Sequence, residues 1–218
     1  MERYSELFDE NMRRKAHEFY LLCHNLKRWY SNGVLIAMDA CLTSSGLNYF
    51  NVVVPRVQAF YVKYIKTRRI IDSHDILKNW GELSLFSNFK NKRVWSCFFE
   101  VLTFISSSKK KQERDISALH RWAVSADYRD MRSDPIGKIK GIGINTFQYL
   151  RMQSGVDTLM PDKIIRRWLE RQLQRKISDD ITCISYGIKV ADKLKISPIE
   201  LCWAIWIKES GEAEKIPV

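Results

Sequence analysis

Residues 137–170, GKIKGIGINTFQYLRMQSGVDTLMPDKIIRRWLE, place two glycines two apart before an asparagine and a threonine, and a single aspartate after a proline. Glycine tolerates positive φ and lets another backbone approach closely, so a turn built on Gly141 and Gly143 can expose consecutive N–H groups. The helix expected from Ile144 onward adds unpaired amides and a positive dipole end, which favour an anion such as a phosphate. Lys138 and Lys140 bring charge beside that turn, and Asn145 and Thr146 stand in the helix's first turn. Asp162 opens the next helix. Its carboxylate can cap that helix, or it can stabilise positive charge that develops on a bound substrate. Two oxygens make the roles compatible, and Asn at the same position retains a capping oxygen, so Asp162→Asn is expected to leave the fold nearly as stable. Glycines between helices also serve a plain αα-hairpin.

Those residues need elements to hold them, and the rest of the chain reads as helical. Phe8, Met12, Ala16, Phe19, Cys23 and Leu26 recur three or four apart, on one face of a long amphipathic helix. Gly33 to Leu42 and Val53 to Ile65 are rich in Val and Ile, but their spacing suits helices. Ser73 and Asp75 are candidate caps for a helix before Trp80, and a long apolar face follows the basic turn NFKNK. The stretch from Ser106 to Asp115 reads as a solvated connection whose lysines lie at the surface. Ile116 to Ala126 makes another helix, and Pro135 follows an aspartate as in a first helical turn. Beyond Asp162, one face carries Ile164, Ile165, Trp168, Leu169 and Leu173. Another carries Lys163, Arg166, Arg167, Arg171 and Arg175, pointing at solvent or phosphate. Two further helices are broken at Ser197 and Pro198, and the tail from Ser210 is expected to fray. The fold class is all-α.

The balance of 36 Lys and Arg against 25 Asp and Glu gives +11 over 218 residues with 45% hydrophobics. That describes a folded chain with an acidic partner, of which nucleic acid is the commonest. The start of the chain is charged throughout and apolar runs fall far short of a membrane span, so an intracellular protein without membrane contact is expected, in cytoplasm, nucleoid or nucleus. Five scattered cysteines without a CxxC pair imply reduced, buried thiols, no zinc or iron–sulfur centre and no cofactor. The four histidines have no metal-pair spacing.

The segment IKGIGINTFQYLRMQSGVDTLMPDKIIRRWL resembles the helix-hairpin-helix signature of the DNA glycosylase superfamily that includes endonuclease III and the alkylpurine, adenine-mismatch and oxoguanine glycosylases. Ile139 to Asn145 and Thr146 match its hairpin, and Pro161, Asp162, Arg166 and Arg167 its second block. WGELSLFSNFKNKRVW and ISPIELCWAIWI are similar to flanking family segments, so the likeness covers most of the chain from about residue 33.

The resemblance implies two helical lobes, residues 32–155 with the hairpin at about 134–153, and residues 1–31 plus 156–218 carrying Asp162, with the active site in the cleft between them. It implies a monomer acting on duplex DNA with a damaged or mismatched base, flipping the nucleotide out and cleaving its N-glycosidic bond. Asp162 is then the catalytic residue. Lys138, Lys140, Gly141, Gly143, Asn145 and Thr146 bind DNA. Family members that also cut the strand carry a lysine where this chain has Asn145, so the mechanism implied is hydrolytic and monofunctional. The base-gap glutamine of the family has no counterpart in CLTSSGLNYF, where Ser44, Ser45 or Asn48 stand instead. Two other readings stay open: a catalytically silent DNA-binding or damage-sensing protein, and a bifunctional enzyme using another lysine such as Lys140.

Overall fold

A computed structural model of the chain describes residues 3–81 and 91–210, and these residues form helices joined by turns, with no strand among them. In chain order they are α1 (Tyr4–Leu7), α2 (Glu10–His24), α3 (Gly33–Thr43), α4 (Val54–Phe60), α5 (Ser73–Lys78), α6 (Lys92–Ser108), α7 (Asp115–Ser125), α8 (Ile144–Gln153), α9 (Lys163–Leu173), α10 (Asp180–Leu194) and α11 (Pro198–Ser210). Wider π-type turns, Tyr49–Val53 and Tyr61–Ile65, flank α4. The all-α class holds. The central part of the segment WGELSLFSNFKNKRVW and the tail beyond Ser210 lie outside the described residues.

Short polar side chains set the helix starts. Asp9, Asn32, Asp72, Asn91, Asp162 and Asp179 each accept from a backbone N–H in the first turn, satisfying donors that a helix cannot pair internally. For α5 the cap is therefore Asp72, not Ser73 or Asp75. Ser73 is buried, and both its N–H and its hydroxyl donate to Asp115. The expected long first helix is interrupted: Phe8 lies outside α2, and Leu26 takes φ +56° beyond its end. The lysine run is not wholly solvated either. Lys109 folds inward to Asp72 at 2.6 Å and Asp115 at 3.0 Å, because two carboxylates at that helix junction need a cation.

Helix α3 is the centre of the core. Val34, Leu35, Ile36, Ala37, Ala40, Cys41 and Leu42 are at most 1% exposed, and an apolar helix buried on all sides is what such a composition requires. It packs on α6, α7 and α8. At the other side α2 lies along α11, with Phe19 stacked on Trp203 at 4.1 Å and 15°. The first long helix and the last described helix are thereby joined.

One charge stands inside α3. Asp39 is fully buried, and its carboxylate accepts from the Trp29 indole at 2.6 Å and the Thr43 hydroxyl at 3.2 Å. The hydroxyls of Tyr49 and Tyr149 each lie 3.2 Å from the same carboxylate and 3.0 Å from one another. Arg28 stands 3.8 Å away and donates to the Tyr49 hydroxyl. Burial pushes the Asp39 carboxyl up, while the Arg28 cation and the donors oppose that rise.

The turn that delivers Arg28 and Trp29 is left-handed. Trp29, Tyr30 and Ser31 have φ of +49°, +60° and +59°, a run of non-glycine residues in a region that costs about 1–2 kcal/mol each. The indole bond to Asp39 and a Tyr30–Tyr61 ring stack at 4.0 Å hold it in place. Removing the carboxylate would leave Arg28 as a buried, uncompensated charge. Asp39→Ala is expected to lower stability by about 3–5 kcal/mol in urea unfolding, and Asp39→Asn by less, since its amide oxygen still accepts from Trp29.

Candidate active site and hairpin

The segment before α8 is less regular than a helix pair. Asp134 Oδ1 accepts from Ile136 N at 2.8 Å and Gly137 N at 3.1 Å, and Lys138 N donates to Asp134 O at 3.0 Å. One helical turn forms, not a full helix. Proline and a capping aspartate start the turn, and Gly137, Gly141 and Gly143 follow too closely for it to extend. Ile136, Ile139 and Ile142 bury their side chains and anchor it, leaving Lys138 and Lys140 exposed.

Gly141 has φ +109°, a conformation other residues rarely adopt. Gly143 is the N-cap of α8 with no side-chain cap bond, so the first amides of α8 lack the side-chain acceptor that Asp162 or Asp179 gives its own helix. A Cβ built on Gly143 meets nothing within 4 Å. Asn145 is exposed in the first turn, whereas the Thr146 side chain is buried at 6% exposure. Thr146 therefore offers an anion its backbone and not its hydroxyl.

Beyond α8, the Gln148 amide donates to Thr158 Oγ1 at 2.6 Å and Leu159 O at 3.2 Å, and its oxygen accepts from Arg151 at 2.7 Å. These bonds fix the loop that carries Pro161 and Asp162 against α8. Asp162 Oδ1 accepts from Ile165 N at 2.8 Å, and Oδ2 accepts from the Trp206 indole N–H at 2.6 Å. Burial raises its pKa above the ordinary carboxylate value, and the Ile165 amide and the Trp206 indole restrain that rise. Asp162 is thus both a cap and a half-buried carboxylate.

Trp206 also lines a narrow apolar cavity with Thr43, Tyr49, Tyr149, Met152, Met160, Cys202 and Trp203, of about 10 Å³, room for roughly one water. Tyr49 and Trp206 meet edge to face at 6.0 Å. Ser44, Ser45 and Asn48 do not reach into it by way of free side chains: the two serine hydroxyls donate to carbonyls of α3, and Asn48 caps the turn before α4.

The arginine face of α9 divides. Arg166 donates to Ile177 O at 2.8 Å and pairs with Asp180, and Arg171 pairs with Glu209. Arg167, Arg171 and Arg175 border an open groove with Lys176, so only part of that face is left for a phosphate. The five cysteines are free and buried. No group of His, Cys, Asp or Glu among the described residues gathers to hold a metal, and no described helix is long and apolar enough to cross a membrane.

Sequence reasoning singled out Asp162 and the hairpin but not Arg28, Asp39, Tyr49, Tyr149 or Trp206. Asp39 left a signal, a lone charge within the apolar run VLIAMDACL. The others carry none, since a buried arginine or aromatic looks like an exposed one in a single sequence.

Residues 112–210 match the model of a domain of unknown function (DUF8548). That span holds the hairpin, Asp162 and Trp206, while Arg28, Asp39 and Tyr49 precede it. No curated protein and no solved structure matches the chain.

The use of both Asp162 oxygens revises the expectation for Asp162→Asn. An asparagine can answer the Ile165 amide or the Trp206 indole, and its NH2 then faces the other donor, a loss of about 1–3 kcal/mol. Trp206→Phe removes a donor from the anion, so the Asp162 midpoint should rise further; carboxyl-carbon NMR titration of wild type and variant reads this. The sign for stability follows from the raised folded value. Ionising Asp162 weakens the fold as pH climbs above the ordinary carboxylate range, and that penalty disappears as pH falls back through the window.

Proposed function

We propose that the protein is a DNA base-excision glycosylase of helix-hairpin-helix type. It flips a damaged or mismatched base from the duplex and hydrolyses its N-glycosidic bond, with Asp162 as the catalytic carboxylate. The observation that carries this reading is the environment of Asp162. A helix cap needs only one oxygen, yet this half-buried residue also has its second oxygen held by Trp206, which lines the narrow ring-walled cavity. A desolvated, preorganised anion is worth most where positive charge develops, as on a sugar whose base departs.

The hairpin supports the same reading. Uncapped amides at the start of α8, an exposed glycine at the cap and two exposed lysines suit the phosphate backbone of DNA. The packing of α2 along α11 fits a second lobe built from both chain ends, residues 1–31 and 156–218, facing residues 32–155. Asn145 cannot form an imine with the sugar, so water is the nucleophile and the strand stays intact. The cavity beside Trp206 is too small for a nucleobase, and its rings must part to admit one.

Duplexes carrying oxidised, alkylated, deaminated and mismatched bases, incubated with the protein and then treated with alkali, test the activity. Strand breaks only after alkali, with no adduct trapped by borohydride, are expected. Breaks before alkali would assign the lyase chemistry to a lysine such as Lys140, and none on any substrate would leave a silent DNA-binding protein. In single-turnover excision Asp162→Asn should lose on the order of a hundredfold or more while damaged-duplex binding persists, and unchanged excision by the folded variant would leave Asp162 as a cap. The wild-type rate should fall with acid from a pH above the ordinary carboxylate range, because burial raises the pKa of the group that must stay ionised.

Gly143→Val separates binding from folding. The new side chain meets no protein atom within 4 Å of its Cβ and no unusual φ, so the fold should hold, with a stability loss limited to about 0.5–1 kcal/mol for valine in place of glycine at the N-cap. It projects where a phosphate would approach, and duplex affinity should drop across all sequences, read by anisotropy at fixed salt. Unaltered affinity would remove the hairpin from the interface.

A further inference from the structure

A second pocket lies on the far wall of Tyr49. It has a volume of about 470 Å³ and is bounded by Phe19 and Leu22 of α2, Lys27 to Tyr30, and Tyr49, Phe50, Val54 and Gln58, a size usual for small-molecule sites. Its aromatic walls are set by the left-handed run at Trp29, Tyr30 and Ser31, and backbone held in sparsely populated regions clusters at ligand sites. Trp29 is locked by Asp39 and Tyr30 by Tyr61 and by the Gln58 side chain, whose oxygen accepts from the Tyr30 hydroxyl at 3.2 Å.

The polar groups of this pocket are one-sided. Arg28 is buried among the rings of Phe19, Trp29 and Trp203, at 4.9, 4.7 and 5.7 Å from their centroids, and its Nε has no hydrogen-bond partner. The Gln58 oxygen is engaged by Tyr30, which leaves its NH2 as a donor, and Lys27 stands exposed at the rim. No carboxylate lines the pocket, and Asp39, bonded to its wall residues Trp29 and Tyr49, spends its oxygens on Trp29, Thr43, Tyr49 and Tyr149. Rings for stacking, with donors and positive charge but no acceptor to spare, select a planar ligand that brings acceptors.

We propose that this pocket binds a nucleotide through a planar base with carbonyl oxygens along its edge, its phosphate toward Lys27. The nucleotide can be free or one unpaired unit of a DNA strand, since the recognised chemistry is the same. The site is separate from Asp162 and needs no bond cleavage, so its test does not depend on glycosylase activity.

Calorimetric titration of the full chain with uridine monophosphate, adenosine monophosphate and inorganic phosphate reads the free ligand. Oligonucleotides with one unpaired thymidine or one unpaired adenosine read the DNA-borne one. Uridine monophosphate should bind one to one, about tenfold or more tighter than either control, a ratio in the range that a lost stacking or edge contact gives. Val54→Trp, which fills the pocket, should weaken it by a similar factor, and Gln58→Ala, at the rim, by several-fold with unchanged melting. Preference for the thymidine oligonucleotide without binding of the free nucleotide, again lost in Val54→Trp or Gln58→Ala, supports the site and assigns its ligand to DNA. Equal binding of inorganic phosphate or adenosine monophosphate, insensitivity to both substitutions, or no base preference in any form would overturn the proposal.

Discussion

The carboxylate of Asp39 is the constraint around which the molecule is organised. A charge at the centre of an apolar helix is costly unless donors surround it, and here the donors come from four separate parts of the chain. The left-handed turn supplies Arg28 and Trp29, α3 itself Thr43, the turn before α4 Tyr49, and α8 Tyr149. Satisfying one buried anion therefore fixes the relative position of the N-terminal segment, the core helix and the helix that follows the hairpin. Neutral hydrophobic packing alone would tolerate sliding among these elements; a set of directional bonds to one point does not.

Two pockets follow from that arrangement. Tyr49 is their common wall: it lines both the narrow cavity shared with Tyr149 and Trp206 and the larger pocket around Arg28. The bond from Arg28 to the Tyr49 hydroxyl connects them chemically. Trp206 in turn links the narrow cavity to Asp162, which sits one hydrogen bond beyond it. A shift of the Tyr49 ring on either side would disturb the same network.

The two carboxylates illustrate different uses of burial. Asp39 is enclosed with a cation and several donors, so its charge is spent within the protein. Asp162 has first-turn amides of α9 and the Trp206 indole but makes no ion pair among the described residues, and burial raises its pKa. An anion kept in that condition has electrostatic capacity left for something outside the chain, which is why it and not Asp39 stands as the catalytic candidate.

Local residue order determined a good deal by itself. The helical period placed α2, α3 and α7 with boundaries off by a residue or two, because three- and four-residue spacing of apolar side chains is a local property. Gly141 was legible as a turn, Asp162 as a cap, and the break at Ser197 and Pro198 as a break, since each depends on one residue's own backbone chemistry. The first element of the hairpin, a single turn in place of a helix, was not legible, because its length is limited by how Ile136, Ile139 and Ile142 bury. Nor was the pairing of Arg166 with Asp180, or of Lys109 with Asp72 and Asp115, which depends on how separate segments pack. Tertiary structure alone decided that Trp206 would meet the second oxygen of Asp162 and that Arg28, Tyr49 and Tyr149 would close on Asp39. Those contacts join residues 10 to 110 positions apart, and hydrogen bonds of that kind leave no period in a sequence, because only the packed core brings their partners together.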